Sequence, residues 1–403
     1  MSDETALLAA IYANPDEDTP RLVYADWLDE HGDPARAEFI RVQIELASRD
    51  DYSTEEYARL NARGHQLQGA HAARWLRHLS QFDEAMQDQR VVVEFTRGFP
   101  DTLSLSGAEA ADFAILRYFP ELRHLEVMHS PLTPGVLRDI ACLPELDSFT
   151  TESTGFDTAW LAHLDPLPCW THVRILEDLD AGAWNAFQER RISKVTLLEP
   201  DQQRAAAIRY LRATRLNDSV RPNKPVKIVR LVQESTTDAE LRLLSYLPEL
   251  EEIEIAYGRE TSAGLRHLSK LPNVKTIHLG RANAESLVPL MSCKTLETLE
   301  YLGDGYSPFG DESVTGLEEL SALKHLTLCP GGTGPGLHDA TLHRIGALRE
   351  LRTLDIRIKL RELEDQGSLA SLRNLGSLES LTLNGRTYTG AELQQFLADL
   401  RRQ

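Results

Sequence analysis

The sequence predicts an α/β protein in which short parallel strands alternate with helices in a repeating array, preceded by a small all-α module. Three observations carry this. The phrase L-x-x-L-x-L returns through the C-terminal three-quarters of the 403-residue chain. The segments between phrases, such as TTDAELRLLSYL (236–247) and TSAGLRHLSKL (261–271), set Ser, Thr or Asp ahead of apolar residues at i, i+3 and i+4, the pattern of an N-capped amphipathic helix. Residues 1–85 lack the phrase and are acidic, with 8 Arg and no Lys against 17 Asp and Glu, a balance of −9 within a total of −19.

The N-terminal module, residues 1–85, reads as helices. DETALLAAIYANP is the first. TPRLVYADWLDEH is the second, with Thr19 as N-cap, Pro20 at the first helical position and Gly32 just past the end. Proline's fixed φ suits entry into a helix, and glycine's tolerance of positive φ suits exit. PARAEFIRVQIELAS is the third, with Pro34 in its first turn, and residues 54–79 form a fourth, bent near Gly64 or Gly69. At 100° per residue, Val23, Tyr24, Ala25, Trp27 and Leu28 gather on one side of the second helix, the side expected to be buried. Asp26, Asp29 and Glu30 share the other side with Leu22. The run ANPDEDTPRLVYADWLDEHGDPARAEFIRVQIELA (13–47), with AARWLRHL and FTRGFPDTLSLSG further on, resembles the bacterial repeat-companion domain found before leucine-rich repeats in planctomycetes and myxobacteria. The resemblance spans residues 1 to about 107 and implies an architecture; it brings no activity to any residue.

Residues 86–118 contain VVVEFTRGFPDTLSLSG, one or two strands that open the sheet and cover its N-terminal edge, as the end of a repeat array requires. The array fills 119–403 with about 11 repeats. Phrases start at 226, 250, 274, 296, 323, 351 and 378, separated by 24, 24, 22, 27, 28 and 27 residues. Earlier copies are PELRHLEV (120–127), LDSFTT (146–151), WTHVRI (170–175) and ISKVTL (192–197). The last two apolar residues of each phrase are two apart and point to one face of a strand; the residues between them point to the other. This strand-plus-helix repeat resembles the ribonuclease-inhibitor-like kind of leucine-rich repeat, which implies a solenoid with parallel strands on the concave side and helices on the convex side. The last helix, TGAELQQFLADLRRQ, closes the far end. Longer connections fall at NDSVRPNKP (217–225), GDGYSPFGDE (303–312) and CPGGTGPGLHD (329–339).

Two surfaces are candidate sites. On the expected concave face, the third and fifth phrase positions place His172, Arg174, Lys194 and Arg230 on three consecutive repeats, a basic patch in an acidic protein suited to an acidic peptide segment. Glu252 and Glu254 follow at once, then His278, Glu300 and His325. The bland reading is a set of solvated charges that pair with one another, Arg230 with Glu252 for instance. On the second helix, Asp26, Asp29 and Glu30 either dock a partner or pair with Arg21, Arg36 or Arg41. They do not form a metal loop, because DEHGD lacks alternating ligands in a turn, nor a helical di-metal motif, because E-x-x-H is missing.

No catalytic, cofactor or metal residue is expected. G-x-S-x-G, H-E-x-x-H and G-x-x-x-x-G-K-[ST] are all absent, and GGTGPG (331–336) lacks the Lys and Ser/Thr that hold phosphate and magnesium. Cys142, Cys169, Cys293 and Cys329 are far apart and read as small core residues in a reduced, cytoplasmic setting. The acidic charge disfavours nucleic acid and anionic lipid, no apolar run is long enough to span a bilayer, and the acidic N-terminus is unlike a secretory signal. The expectation is a non-enzymatic protein–protein interaction scaffold. The alternatives are a regulatory or sensor subunit of a separate effector enzyme, a protease or nuclease in a bacterial conflict or signalling system, or an enzyme with a site between the N-terminal module and the loops at 303–312 and 329–339.

Overall fold

Each phrase begins with a buried apolar residue, and its strand starts on the third residue, so that the fourth and sixth side chains point into the core. In the computed structural model this holds for nine phrases, from His124 to Ser380 at the strand starts. The structure describes residues 3–49, 51–153, 155–176, 179–213, 225–231, 236–256, 261–282, 284–303, 305, 308–331, 336–357 and 366–400. The loop 217–225 lies almost wholly outside these residues, as do parts of the connections at 303–312 and 329–339 and most of GGTGPG. The chain divides into two compact units, Met1–Trp184 and Asn185–Gln403.

In the first unit, α1 (Asp3–Ala13), α2 (Thr19–Glu30), α3 (Pro34–Ala47) and α4 (Glu55–Trp75) pack each against the next. They are followed by a short α5 (Asp83–Gln87) and by β1 (Val91–Thr96) and β2 (Phe99–Ser106), an antiparallel hairpin. Then come β3 (His124–Met128), α6 (Pro134–Ala141), β4 (Ser148–Glu152) and β5 (His172–Ile175); β2 to β5 are parallel and neighbours in order. Ile11, Tyr24, Ala25, Leu28, Ala37, Ile40 and Ile44 of the helices form one core cluster with Phe99 of β2. Each large side chain so buried contributes about 1.5–3 kcal/mol by transfer. The hairpin turn, Arg97 and Gly98, has both residues at positive φ (51° and 84°), as a two-residue type I′ turn requires. A Cβ on Gly98 would sit 2.5 Å from Ile40 Cγ1 and 2.8 Å from Ile40 Cα, so the turn backs directly onto α3. Arg97 donates to the Asp16 carbonyl (3.0 Å) and pairs with Asp18 (3.4 Å), fixing the α1–α2 loop.

The second unit takes in most of α7 (Ala181–Ser193), a 3-10 helix at Lys194–Leu197 and α8 (Pro200–Ala213). Its sheet runs β6 (Ile228–Leu231), β7 (Glu252–Ile255), β8 (Thr276–Ala282), β9 (Thr298–Gly303), β10 (His325–Cys329), β11 (Thr353–Ile356), β12 (Ser380–Leu383) and β13 (Arg386–Thr389). All neighbours are parallel except β12 and β13, joined by a second turn of positive-φ residues, Asn384 and Gly385. Between strands lie α9 (Asp238–Leu244), α10 (Ser262–Leu268) and α11 (Asp339–Ile345), with α12 (Gly390–Asp399) at the end. At the start of α9 the Thr237 backbone N–H donates to the Glu240 carboxylate (2.7 Å), the acidic half of a capping box. Elsewhere the strand-to-strand connection is a 3-10 helix, as at Val288–Ser292, rather than an α-helix.

Several sequence expectations are corrected. ISKVTL forms no strand: Ile192 and Val195 are buried at helical spacing, while Leu197 is 85% exposed. Lys194 therefore does not stand on a strand face. Asp18, not Thr19, is the N-cap of α2. The buried side of α2 is Arg21, Tyr24, Ala25 and Leu28, with Val23 exposed and Trp27 only partly covered. Glu55–Trp75 is one continuous helix, with no break at Gly64 or Gly69. Cys142 is exposed just past α6, whereas the other three thiols are buried.

Candidate functional site

The outward side chains of the eight-stranded sheet form two columns, because parallel register stacks equivalent phrase positions about one strand spacing apart. One column runs Ile228, Glu252, Thr276, Thr298, His325, Thr353 and Ser380. The other runs Arg230, Glu254, His278, Glu300, Thr327, Asp355 and Thr382. Every residue from β7 onward in both columns is partly covered by its neighbours, while Arg230 at the edge is exposed. Arg230 pairs with Glu254 (2.9 Å) and reaches Glu252 (3.6 Å). His278 Nδ1 lies 2.7 Å from Glu300 Oε2, and His325 Nδ1 lies 2.9 Å from Thr353 Oγ1. The columns carry one arginine against Glu252, Glu254, Glu300 and Asp355, so the face is acidic. Burial, with Asp355 beside it, pushes the Cys329 thiol up to about 11 and keeps it protonated.

At the entry to the strands a second ladder alternates in sign. Glu251 is held by Lys227 (2.7 Å) and Lys275 (3.2 Å), and Glu297 by Lys324 (2.6 Å); these ammonium groups lower both carboxyl pKa values. The ladder pairs these lysines internally, at a phrase position separate from the two outer columns.

The first unit arranges the predicted residues differently. His172 is 4% exposed, so it is not part of an open face; its column neighbours are His124 and Ser148, whose Nδ1 and Oγ lie 2.8 Å apart. Arg174 is exposed on β5, the last strand of its own sheet. Arg174, Lys194 and Arg230 thus do not fall on three hydrogen-bonded strands, because Lys194 stands on a 3-10 helix and β5 and β6 belong to different sheets. On α2, Arg41 Nη2 donates to Asp26 Oδ1 and Asp29 Oδ2, both at 2.7 Å, while Glu30 makes no ion pair among the described residues. Of Arg21 and Arg36, neither meets these acids: Arg21 donates to the Glu17 carbonyl (2.7 Å), and Arg36 turns inward over aromatic rings. Asp355 was not singled out by sequence, although it stands in the same column as Glu254 and Glu300; the equal phrase position was the signal.

Among the described residues, no group of three or more His, Cys, Asp or Glu is placed to hold a metal ion, and no helix is long and apolar enough to cross a membrane.

Strands and helices repeated on leucine phrases give each unit a leucine-rich α/β repeat architecture. No protein-family model matches the chain, and no curated protein matches it. Among solved structures, similarity is found to an internalin from Listeria monocytogenes (16% identity, TM-score 0.29, covering 69% of this chain and 57% of that one). Internalin C2 from the same organism (18%, 0.30, 47% and 96%) and the LRR ectodomain of the plant membrane receptor kinase GASSHO1/SCHENGEN3 from Arabidopsis thaliana (11%, 0.29, 68% and 34%) are also similar. The chain therefore spans less than two thirds of the length of the first and third of these. Scores this low have no bearing on function.

Proposed function

We propose that this chain is a protein–protein interaction scaffold whose eight-stranded sheet receives a basic segment of a protein partner on its outer columns. The supporting observation is the acidic character of those columns, with Glu254, Glu300 and Asp355 in one register line. Glu252, His278, His325 and Arg230 complete the surface. Arg230 belongs to it as an edge residue that orients Glu252 and Glu254, rather than as an anion receptor. Carboxylates on alternate strands of a repeat face offer successive anchors to a basic segment lying across the strands, and complementary charge raises association rate and selects the partner. His172, Arg174 and Lys194 take no part in this reading. Residues 1 to about 107, with their resemblance to the repeat-companion domain, would then accompany the repeats, and the Arg41 bridge leaves Glu30 as the remaining docking acid on α2.

The test is affinity purification from the native host with mass spectrometry, comparing wild type with a Glu254→Lys, Glu300→Lys, Asp355→Lys triple variant. A reproducible partner lost from the triple variant, at unchanged melting temperature, supports the proposal. Undiminished recovery sinks it. The same complex is expected to weaken with rising salt, since exposed charges are screened over about 10 Å at 0.1 M.

A further inference from the structure

A cleft of about 390 Å³ opens in the first unit between the helices and the β1–β2 hairpin. Its wall holds Arg36, the third residue of α3. The guanidinium lies over the rings of Trp75 (4.6 Å), Phe95 (5.2 Å), Phe99 (5.6 Å) and Phe39 (5.7 Å). Four aromatic faces stabilise a cation, but they leave its N–H groups without acceptors. Arg36 Nη1 is fully covered and unpartnered, and the guanidinium makes no hydrogen bond or ion pair among the described residues.

The nearby acids do not supply what is missing. Asp33 accepts from the Arg36 backbone N–H (3.2 Å) and pairs its carboxylate with Arg74 (2.8 Å). Glu4 accepts from the Tyr24 hydroxyl (3.2 Å). Glu121, on the same wall, makes no ion pair with Arg36 among the described residues, and desolvation raises its carboxyl pKa. Desolvation also draws Arg36 down to about 10, which still leaves it charged at neutral pH. Asp33 supports the Arg36 charge without bonding its guanidinium and is itself engaged by Arg74, so the guanidinium has donor capacity left for a further acceptor in the cleft.

We infer that this cleft binds a small monocarboxylate with an apolar, ring-bearing body. The carboxylate oxygens would accept from the Arg36 fork, and the body would lie against Trp75, Phe95 and Phe99. A carboxylate suits the planar donor fork of arginine. A phosphate dianion would bring a second negative charge against Glu4 and Glu121, and so fits less well. This inference concerns a different site from the sheet face and stands or falls independently of it.

The experiment is isothermal titration calorimetry of the full chain with three probes: phenylacetate, inorganic phosphate and a short peptide ending in a phenylalanine carboxylate. Phenylacetate is expected to bind saturably. Arg36→Met should weaken it roughly tenfold or more, the equivalent of one lost hydrogen-bonded charge contact. Methionine fills the aromatic cage without a charge, so that variant should melt no lower than wild type; Arg36→Lys, which keeps the charge but not the fork, should bind with intermediate strength. Peptide binding together with phenylacetate binding identifies a chain terminus as a source of the carboxylate; phenylacetate binding alone identifies a free acid. Absence of saturable phenylacetate binding, phosphate binding as tight as phenylacetate, or an affinity unchanged in a folded Arg36→Met variant each overturns the inference.

Discussion

Two hairpins of nearly identical turn chemistry sit at the start of one sheet and the end of the other, and their surroundings make them very different. Arg97–Gly98 joins β1 to β2 and presses on Ile40 of α3; Asn384–Gly385 joins β12 to β13 with nothing within 4 Å of where a Gly385 Cβ would be. The glycines have the same φ, 84° in each case. One is needed for conformation alone, the other for conformation and for space. The comparison separates what a turn demands of its backbone from what tertiary packing adds.

The largest expected effect breaks that comparison at its packed end. Gly98→Ala meets both the left-handed backbone cost, about 1–3 kcal/mol, and a clash with Ile40 that forces the hairpin off α3, about 1–3 kcal/mol more. We expect a loss of about 4 kcal/mol in denaturant unfolding followed by tryptophan fluorescence. Gly385→Ala should cost only about 1 kcal/mol, since the backbone term alone operates. Equal losses at the two sites would show that Gly98 does not bear on α3.

A second contrast lies between cross-strand charge pairs. Arg123 and Asp147 occupy the second place of successive phrases, with Asp147 only 3% exposed as a side chain; Arg123 also reaches Asp16 (3.4 Å). Asp147→Ala removes the shortest contact of a mostly covered Arg123 and leaves it only the longer one to Asp16, so it should cost about 3 kcal/mol, the low end for breaking a buried pair. Glu254→Ala removes the acid opposite Arg230 on the outer columns, where Arg230 is exposed and Glu254 only partly covered, and should cost no more than about 1 kcal/mol.

The second unit has its own buried polar contact. The Tyr210 hydroxyl donates to Glu240 Oε1, and the Thr237 backbone N–H donates to Oε2 (2.7 Å). Tyr210→Phe takes away a donor from a buried carboxyl and should cost about 2 kcal/mol. Burial, the largest influence on Glu240, raises its pKa, so the folded protein holds that proton more tightly than the unfolded chain. The stabilisation is complete below the ordinary carboxyl pKa and is lost as pH rises through the raised one. Glu240→Gln should flatten that part of the pH–stability curve measured by urea unfolding.

Much of the fold was legible because the phrase fixes two things at once: a period-2 core pattern and a repeat length. Leu125 and Val127, or Ile253 and Ile255, could face inward only from a strand. ISKVTL misled because Ile192 and Val195 satisfy helical spacing as well, and only the exposure of Leu197 decides between the two. The outer columns were legible from phrase position. Their membership was not fully legible, since Lys194 sits in a phrase that folds as a 3-10 helix and His172 is covered once its own sheet is packed. Arg36 could not be read at all: three residues after Asp33 it looks like a surface ion-pair partner, and only the packing of α4 and the hairpin around it turns it inward over aromatic rings.

The smallest effect sharpens the reading of α2. Asp26 is 73% exposed and Arg41 38%, so the bridge to Asp26 and Asp29 is a surface interaction worth about 0.2–1 kcal/mol. Arg41→Ala also leaves Asp26 and Asp29 facing each other at i,i+3, adding a few tenths of a kcal/mol of repulsion. The expected loss is therefore near 1 kcal/mol at low ionic strength, and it should shrink toward zero in molar salt, which screens both the lost attraction and the new repulsion. A loss that persists in high salt would mean that Arg41 acts through packing of its aliphatic stem between α2 and α3, rather than through the two carboxylates.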